Sequence, residues 1–258
     1  MLIRDVIDYL EGRFPRELAQ TWDNVGLNIG NASRELKGVL VTLDVTEAVL
    51  QEAINKGVNL IVTHHPFIFS PLKAIDTTTA LGRMIELCMK HDVSIYVMHT
   101  NYDVSGGGMN DVLIGKLGVD NATALLDDGA DAGLGRCGNL ASEMDIRDCI
   151  KFIESTLSAT SVSLVDAGTQ VIKRVAVIGG SGSKFIKQAK NAGADLLITG
   201  DVTYHTALDA LDLGISVLDI GHHAEVVMKT HIETLINVEF GQETAVASEI
   251  CTNPFSKI

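Results

Sequence analysis

Residues 37–65 read KGVLVTLDVTEAVLQEAINKGVNLIVTHH, and residues 173–201 read KRVAVIGGSGSKFIKQAKNAGADLLITGD. At a constant offset of 136 and without a gap, Lys37, Val39, Val41, Ala53, Gly57, Leu60 and Thr63 fall on Lys173, Val175, Val177, Ala189, Gly193, Leu196 and Thr199. Each block is an apolar run rich in β-branched residues, then a segment of helical spacing, then a second apolar run. That order is the strand-helix-strand unit of a parallel sheet.

The first half reads as strands over 38–43, 58–63 and 94–99 alternating with helices over 46–56 and 80–91. The second reads as strands over 174–178, 194–199 and 215–220 alternating with helices over 183–192, 203–213 and 222–236. Ile3-Arg4-Asp5 with Glu11 matches Ile146-Arg147-Asp148 with Glu154 at offset 143, each opening an amphipathic helix. Ser94, Ile95 and Asp103 match Ser216, Val217 and Glu225 at offset 122, which shortens one connection in the second copy. A Gly/Asp-rich stretch at 127–138 separates the copies. The expectation is an internally duplicated α/β fold of two similar halves, 1–124 and 125–258, with a metal site at their junction and the C-terminal segment packing back on the first half.

Composition narrows the function. The chain has 258 residues, 46% apolar and 21% charged, a globular mixture that can bury a core without disulfides. A net charge of −13 with no Lys/Arg cluster predicts no nucleic-acid binding through phosphates, which needs many basic contacts. Cys88, Cys137, Cys149 and Cys251 form no C-x-x-C pair, and four sparse thiols suit a reducing compartment. With no signal-peptide core and no run near the ~18 apolar residues of a membrane span, the sequence predicts a soluble cytoplasmic protein with no membrane partner.

The chemistry gathers at strand ends. One strand runs into Thr63-His64-His65-Pro66 and the next into His99-Thr100-Asn101-Tyr102-Asp103. Open parallel sheets bind ligands beyond the carboxyl ends of their strands. Adjacent residues on a regular strand face opposite ways, but where the strand breaks, as Pro66 encourages, His64 and His65 can splay towards two different ions. In the second half, Gly221-His222-His223-Ala224-Glu225 opens a helix, and His222 and Glu225, three apart, share a face of its first turn. His64, His65, Asp103, His222 and Glu225 exceed the three ligands that usually hold a single catalytic ion. Two divalent ions sharing a carboxylate would use all five. Imidazole and carboxylate without thiolate suit iron, manganese, zinc, cobalt or nickel.

Other polar residues read differently. His91 sits near a helix end and His231 on the stripe of Ala224, Met228 and Leu235, both as structural residues. Gly179-Gly180-Ser181-Gly182-Ser183 matches neither phosphate-binding glycine motif and reads as a tight turn. Trp22-Asp23-Asn24-Val25-Gly26 and Gly200-Asp201-Val202-Thr203-Tyr204-His205 carry polar groups at loop positions suited to substrate or ligand-supporting contacts.

Taken in order, Trp22-Asp23-Asn24-Val25-Gly26-Leu27, Thr63-His64-His65-Pro66, His99-Thr100-Asn101-Tyr102-Asp103, Thr199-Gly200-Asp201 with Tyr204-His205, and Gly221-His222 with Glu225 resemble the Nif-three-like family, the GTP cyclohydrolase I type 2 homologs. The resemblance implies a dinuclear metal centre held by His64, His65, Asp103, His222 and Glu225, in a fold that assembles into a toroidal homohexamer. It also implies a GTP-like purine nucleotide and hydrolytic ring opening. Many members place one further residue between the last His and Glu. Longer members carry an inserted middle domain, for which the stretch between 120 and 135 leaves no room.

The function expected is a metal-dependent hydrolase of a small molecule, with His99 or His205 moving protons. The alternative is a non-enzymatic metal-handling or regulatory assembly whose ions organise a partner surface.

Overall fold

The computed structural model describes residues 1–129, 132–157, 159 and 161–256. Part of the Gly/Asp-rich stretch thus lies outside the described residues. In chain order the elements are α1 (Ile3–Arg13), β1 (Gly26–Ile29), β2 (Val39–Thr42), α2 (Glu47–Lys56), β3 (Leu60–Thr63), α3 (Ala80–His91), β4 (Ser94–Val97), α4 (Thr100–Val104) and α5 (Met109–Lys116). They continue as β5 (Thr123–Gly129), β6 (Ala132–Asp145), α6 (Ile146–Leu157), β7 (Ser163–Val165), β8 (Val171–Val177), α7 (Ile186–Asn191), β9 (Leu196–Thr199), α8 (Tyr204–Leu213), β10 (Ser216–Asp219), α9 (Met228–Phe240) and β11 (Ala245–Ala247). They divide into two compact units, Met1–Tyr102 with Met228–Asn253, and Asp103–Val227 with Pro254–Ile258.

The first unit holds a five-stranded sheet in the order β1-β4-β3-β2-β11. β2, β3, β4 and β11 are parallel and β1 runs antiparallel to β4. Every residue of β2, β3 and β4 is buried, as parallel strands covered on both faces require. Alternation sends Leu40, Ile61 and Ile95 to the face where Val49, Leu50 and Ala53 of α2 and Ile85 and Cys88 of α3 pack. α9 packs on β2 and β11, and Tyr9 of α1 meets Phe240 edge-on at 5.4 Å. Thr46 and Thr79 cap the N-termini of α2 and α3 by accepting from Val49 and Gly82 backbone N–H groups, and Gly57 ends α2 at φ +69°.

The second unit holds a six-stranded sheet, β5-β6-β8-β9-β10-β7. β8, β9 and β10 are parallel, β7 is antiparallel to β10, and β5 and β6 form an antiparallel hairpin beside β8. Ala176, Leu197 and Val217 face Ile186 and Ala189 of α7 and Ala210 of α8. The contiguous strand order β1-β4-β3-β2 in one unit is matched by β7-β10-β9-β8 in the other, with α1, α2 and α3 answered by α6, α7 and α8. The offsets read from the sequence carry α1, β2, α2, β3 and β4 onto α6, β8, α7, β9 and β10.

Met228–Asn253, the C-terminal segment, belongs with the first unit and supplies α9 and β11 there, and the units meet in the chain at Tyr102 and Asp103. Two features depart from the sequence reading. The helix over 183–192 splits into a 3-10 turn, Ser183–Phe185, and α7. Much of the Gly/Asp-rich stretch is strand, although glycine is depleted in strands. Close packing explains the glycines: a Cβ at Gly135 would lie 2.8 Å from the Ile178 side chain, and one at Gly138 would lie 2.4 Å from that of Val119. No helix among the described residues is long and apolar enough to cross a membrane.

The hairpin is fixed to α5 by one ion pair. Arg136 of β6, 4% exposed, donates from Nε to Asp111 Oδ1 at 2.6 Å and from Nη2 to Oδ2 at 2.8 Å. Its remaining donors reach the carbonyls of Ser105, Gly133 and Gly135. Removing one partner of such a pair leaves a buried charge uncompensated. Since three carbonyls would still receive the guanidinium, Asp111→Ala should lower stability by about 2–3 kcal/mol, read from urea denaturation.

Candidate metal centre

In the first unit, β3 stops at Thr63, whose hydroxyl donates to the Leu43 carbonyl at 2.9 Å and ties the strand end to the end of β2. The next two residues lean to opposite neighbours. His64 is fully buried, and its Nδ1 lies 2.8 Å from the Met98 carbonyl beyond β4. A carbonyl only accepts, so Nδ1 carries the proton and Nε2 the lone pair. His65 turns towards the β2 side, where its Nδ1 lies 2.6 Å from Asp44 Oδ1. The Thr252 hydroxyl donates to Asp44 Oδ2 at 2.6 Å. The two rings stand 5.1 Å apart and are inclined by 46°.

His99, after β4, completes a triangle. Its ring lies 5.1 Å from that of His64 and 5.8 Å from that of His65, and the three residues offer ligand atoms within 4.8 Å of one another. His99 Nδ1 stands 3.0 Å from both oxygens of Asp23. The same carboxylate accepts from the Thr100 backbone N–H at 3.0 Å and from the Thr100 hydroxyl at 2.5 Å. Burial alone would raise the Asp23 pKa, but these hydrogen bonds and the charge of His99 win and hold it at about 2, below the ordinary 3.8.

In the second unit the expected helix over 222–236 opens as a 3-10 turn, His222–Val227, before α9. Side chains three apart eclipse one another in a 3-10 helix, so the pairing of His222 with Glu225 tightens: Nε2 to Oε2 is 3.2 Å. His222 Nδ1 lies 2.7 Å from Asp201 Oδ2. Asp201 follows β9 with φ +53°, a left-handed conformation that aspartate tolerates, and at offset 136 it occupies the place of His65. The Gly179-Gly180 turn backs the pair, since a Cβ at Gly180 would lie 2.8 Å from Glu225 Oε1 and 3.3 Å from His222 Nε2. Asn110, 1% exposed, donates to the Asp103 carbonyl and accepts from the Gly179 N–H, both at 2.9 Å, tying the Asp103 turn to the glycine turn.

Each unit therefore gathers ligand-type side chains beyond the carboxyl ends of its parallel strands. Imidazoles whose Nδ1 is held by a carbonyl or carboxylate present Nε2 as a lone-pair donor in a fixed direction, the arrangement typical of metal-ligating histidines. The donors fit a divalent transition metal. His205 is placed differently: it lies exposed on the first turn of α8, edge-on to Tyr204 at 5.6 Å, and joins no ligand cluster among the described residues. His231 is structural as expected, with Nδ1 2.7 Å from the Tyr102 hydroxyl and a pKa lowered by burial and by Arg13. Asp44 and Asn110 escaped the sequence reading. Asp44 follows β2 at the same end as the histidines, a signal that the strand-end argument could have used.

Residues 1–254 match the family model Duf34/NIF3 (NGG1p interacting factor 3). A Clostridium perfringens protein named GTP cyclohydrolase 1 type 2 homolog is 40% identical over 225 residues, 86% of each chain. A Streptococcus pneumoniae protein of the same name is 35% identical over 267 residues, covering all of both chains. The crystal structure of a Bacillus cereus protein related to NIF3 superposes with a TM-score of 0.93 at 28% identity, covering 100% of this chain and 99% of that one.

Two outcomes are expected. Gly180→Ala should push Glu225 and His222 out of place and lower the metal bound per folded chain, measured by elemental analysis with circular dichroism as the folding control. The Asp23 carboxylate, with its folded pKa lowered, contributes stability that is full above the unfolded value of 3.8 and is lost as pH falls through about 2. Asp23→Asn should reduce stability at neutral pH and flatten the acid dependence across that window, followed by urea midpoints against pH.

Proposed function

The chain belongs to the Duf34/NIF3 family, and we propose that it acts there as a dinuclear metal-dependent hydrolase of a small molecule. The ligands in this reading are His64, His65, Asp103, His222 and Glu225, holding two divalent ions chosen among iron, manganese, zinc, cobalt and nickel. The observation that supports it most is the set of Nδ1 hydrogen bonds to Met98, Asp44 and Asp201, which orients the three histidines as ligands. When bound, the ions supply Lewis acidity, which acidifies water and polarises the electrophile. The name shared by the curated relatives favours a purine nucleotide opened by water. The cytoplasmic homohexamer implied by the sequence resemblance belongs to the same proposal.

The chain's own residues divide the remaining work. Asp23 and Thr100 hold His99 beside the ligand histidines, where its imidazole takes or gives the proton of the reaction. His205, exposed on α8, is the second proton carrier in this reading, one that trades with solvent. A second reading, a non-enzymatic metal-handling or partner-binding assembly, draws on the family description as an NGG1p interacting factor.

Protein loaded with iron, manganese or zinc and incubated with a panel of nucleotides and phosphoesters should turn over at least one of them, and His64→Ala should abolish it. About two ions should bind per chain. Whichever of Asp103→Ala and Glu225→Ala removes a bridging carboxylate should cost more metal than His64→Ala or His65→Ala. Turnover that survives His64→Ala would sink the metal-hydrolase reading, and saturation at one ion would sink the dinuclear one. Tight, slowly exchanging metal with no turnover would favour the second reading.

A further inference from the structure

Trp22 and Phe69 are large apolar rings left 58% and 59% exposed; Trp22 stands next to His99 of the first unit's histidine cluster, and Phe69 stands next to Trp22. Their centroids are 6.0 Å apart at an interplanar angle of 47°. Trp22 also meets His99 edge-on at 6.0 Å, and His99 meets His64 at 5.1 Å. A continuous series of rings thus leads from solvent to a proposed metal ligand, with one imidazole between.

The two exposed rings are fixed from beneath. Asn24 donates from Nδ2 to the Ile68 carbonyl at 2.5 Å. Ile68 N–H donates to Asn28 Oδ1 at 3.0 Å, and Asn28 Nδ2 donates to the Asn24 carbonyl at 3.0 Å. Asp23, between Trp22 and Asn24, is locked onto His99 and Thr100. The loops carrying Trp22 and Phe69 are therefore cross-linked through polar side chains, and the rings sit at a set spacing. Ordering two apolar rings in water is unfavourable unless something covers them. The polar locks also spare a ligand the entropy of ordering the surface itself.

We propose that Trp22 and Phe69 form a ring-stacking subsite, which seats a flat aromatic or heteroaromatic ring of the substrate and places its hydrolysable group over the histidine cluster. The pair is too close and too inclined to admit a third ring between them, so the ligand lies on the exposed face of Trp22 with its edge against Phe69. The substrate class is a compound with a planar ring system beside the bond to be cut. This deepens the metal-hydrolase reading and rests on it for what happens after binding, but the stacking itself needs no metal.

Trp22 is the only tryptophan in the chain, so intrinsic fluorescence reports on this subsite alone. The full-length protein, metal-free and metal-loaded, is titrated with guanosine, adenosine and, as the ring-free control, ribose 5-phosphate, with excitation on the red edge of the indole band. Saturable quenching by one or both nucleosides and none by ribose 5-phosphate is expected in both forms. Phe69→Ala, which keeps the reporter, should raise the dissociation constant about tenfold, the loss of part of one base-stacking contact. Its metal content should equal that of the wild type. Equal quenching by ribose 5-phosphate, no saturable quenching, or an unchanged constant in Phe69→Ala would overturn the subsite. So would indole emission of the buried type that reverts to the exposed type on dilution, because a second copy of the chain would then be what covers Trp22. Ring-selective quenching without turnover on any substrate would leave the subsite standing and remove the hydrolase reading instead.

Discussion

A metal-ligating imidazole has two nitrogens and can give only one to the ion; the other must be held, or the ring swings and the tautomer is undefined. Much of the architecture around the strand ends answers that requirement. Of the proposed ligands, His64 uses a backbone carbonyl at Met98, His65 the Asp44 carboxylate and His222 the Asp201 carboxylate, and the Asp23 carboxylate holds His99, the proposed proton carrier, in the same way. Each of those oxygens sits just past a strand or in a loop pinned by other bonds, so the ring directions inherit the rigidity of the sheets. The local backbone follows from the same need. Asp201 adopts a left-handed conformation, and Gly180 keeps clear the space that the Glu225 carboxylate occupies.

The repeat shows how the requirement is met twice with different chemistry. After β3 the chain places His65; after the corresponding β9 it places Asp201, which holds a histidine instead of being one. After β4 it places His99 and then Asp103; after β10, His222 and Glu225. The scaffold of three parallel strands stays constant, and the proposed roles of ligand and supporter are exchanged across it.

How far this could be read in advance depends on the kind of interaction. Parallel strands buried on both faces leave a long apolar signature, so β2, β3, β4, β8, β9 and β10 were legible to within a few residues, as were the histidines at their ends. The β5-β6 hairpin was not. Its glycines serve close approach to Val119 and Ile178, a tertiary reason that no local pattern displays. Strands β1, β7 and β11 lie at sheet edges and are only partly buried, so they lack the continuous apolar run that marks the equally short central strands. Asp44 and Asn110 escaped for a related reason. Such a residue is marked by what it touches: an aspartate after a strand looks the same whether it caps a turn or, like Asp44, orients an imidazole, and an asparagine in a helix's first turn does not show that it ties two loops together, as Asn110 does.

The discontinuity of the first unit has a consequence for how the chain is made. On a ribosome, residues 103–227 emerge as one uninterrupted piece, and the sheet they carry can close as soon as β10 appears. The first 102 residues emerge earlier yet must wait, because β11 and α9 come from Met228–Asn253. Until then the outer edge of β2 and the apolar face that α9 covers stay open, and an open parallel edge is a template for foreign strands. The half of the protein synthesised first is thus completed last, and the edge of β2 goes unpaired by its own chain until the last strand arrives.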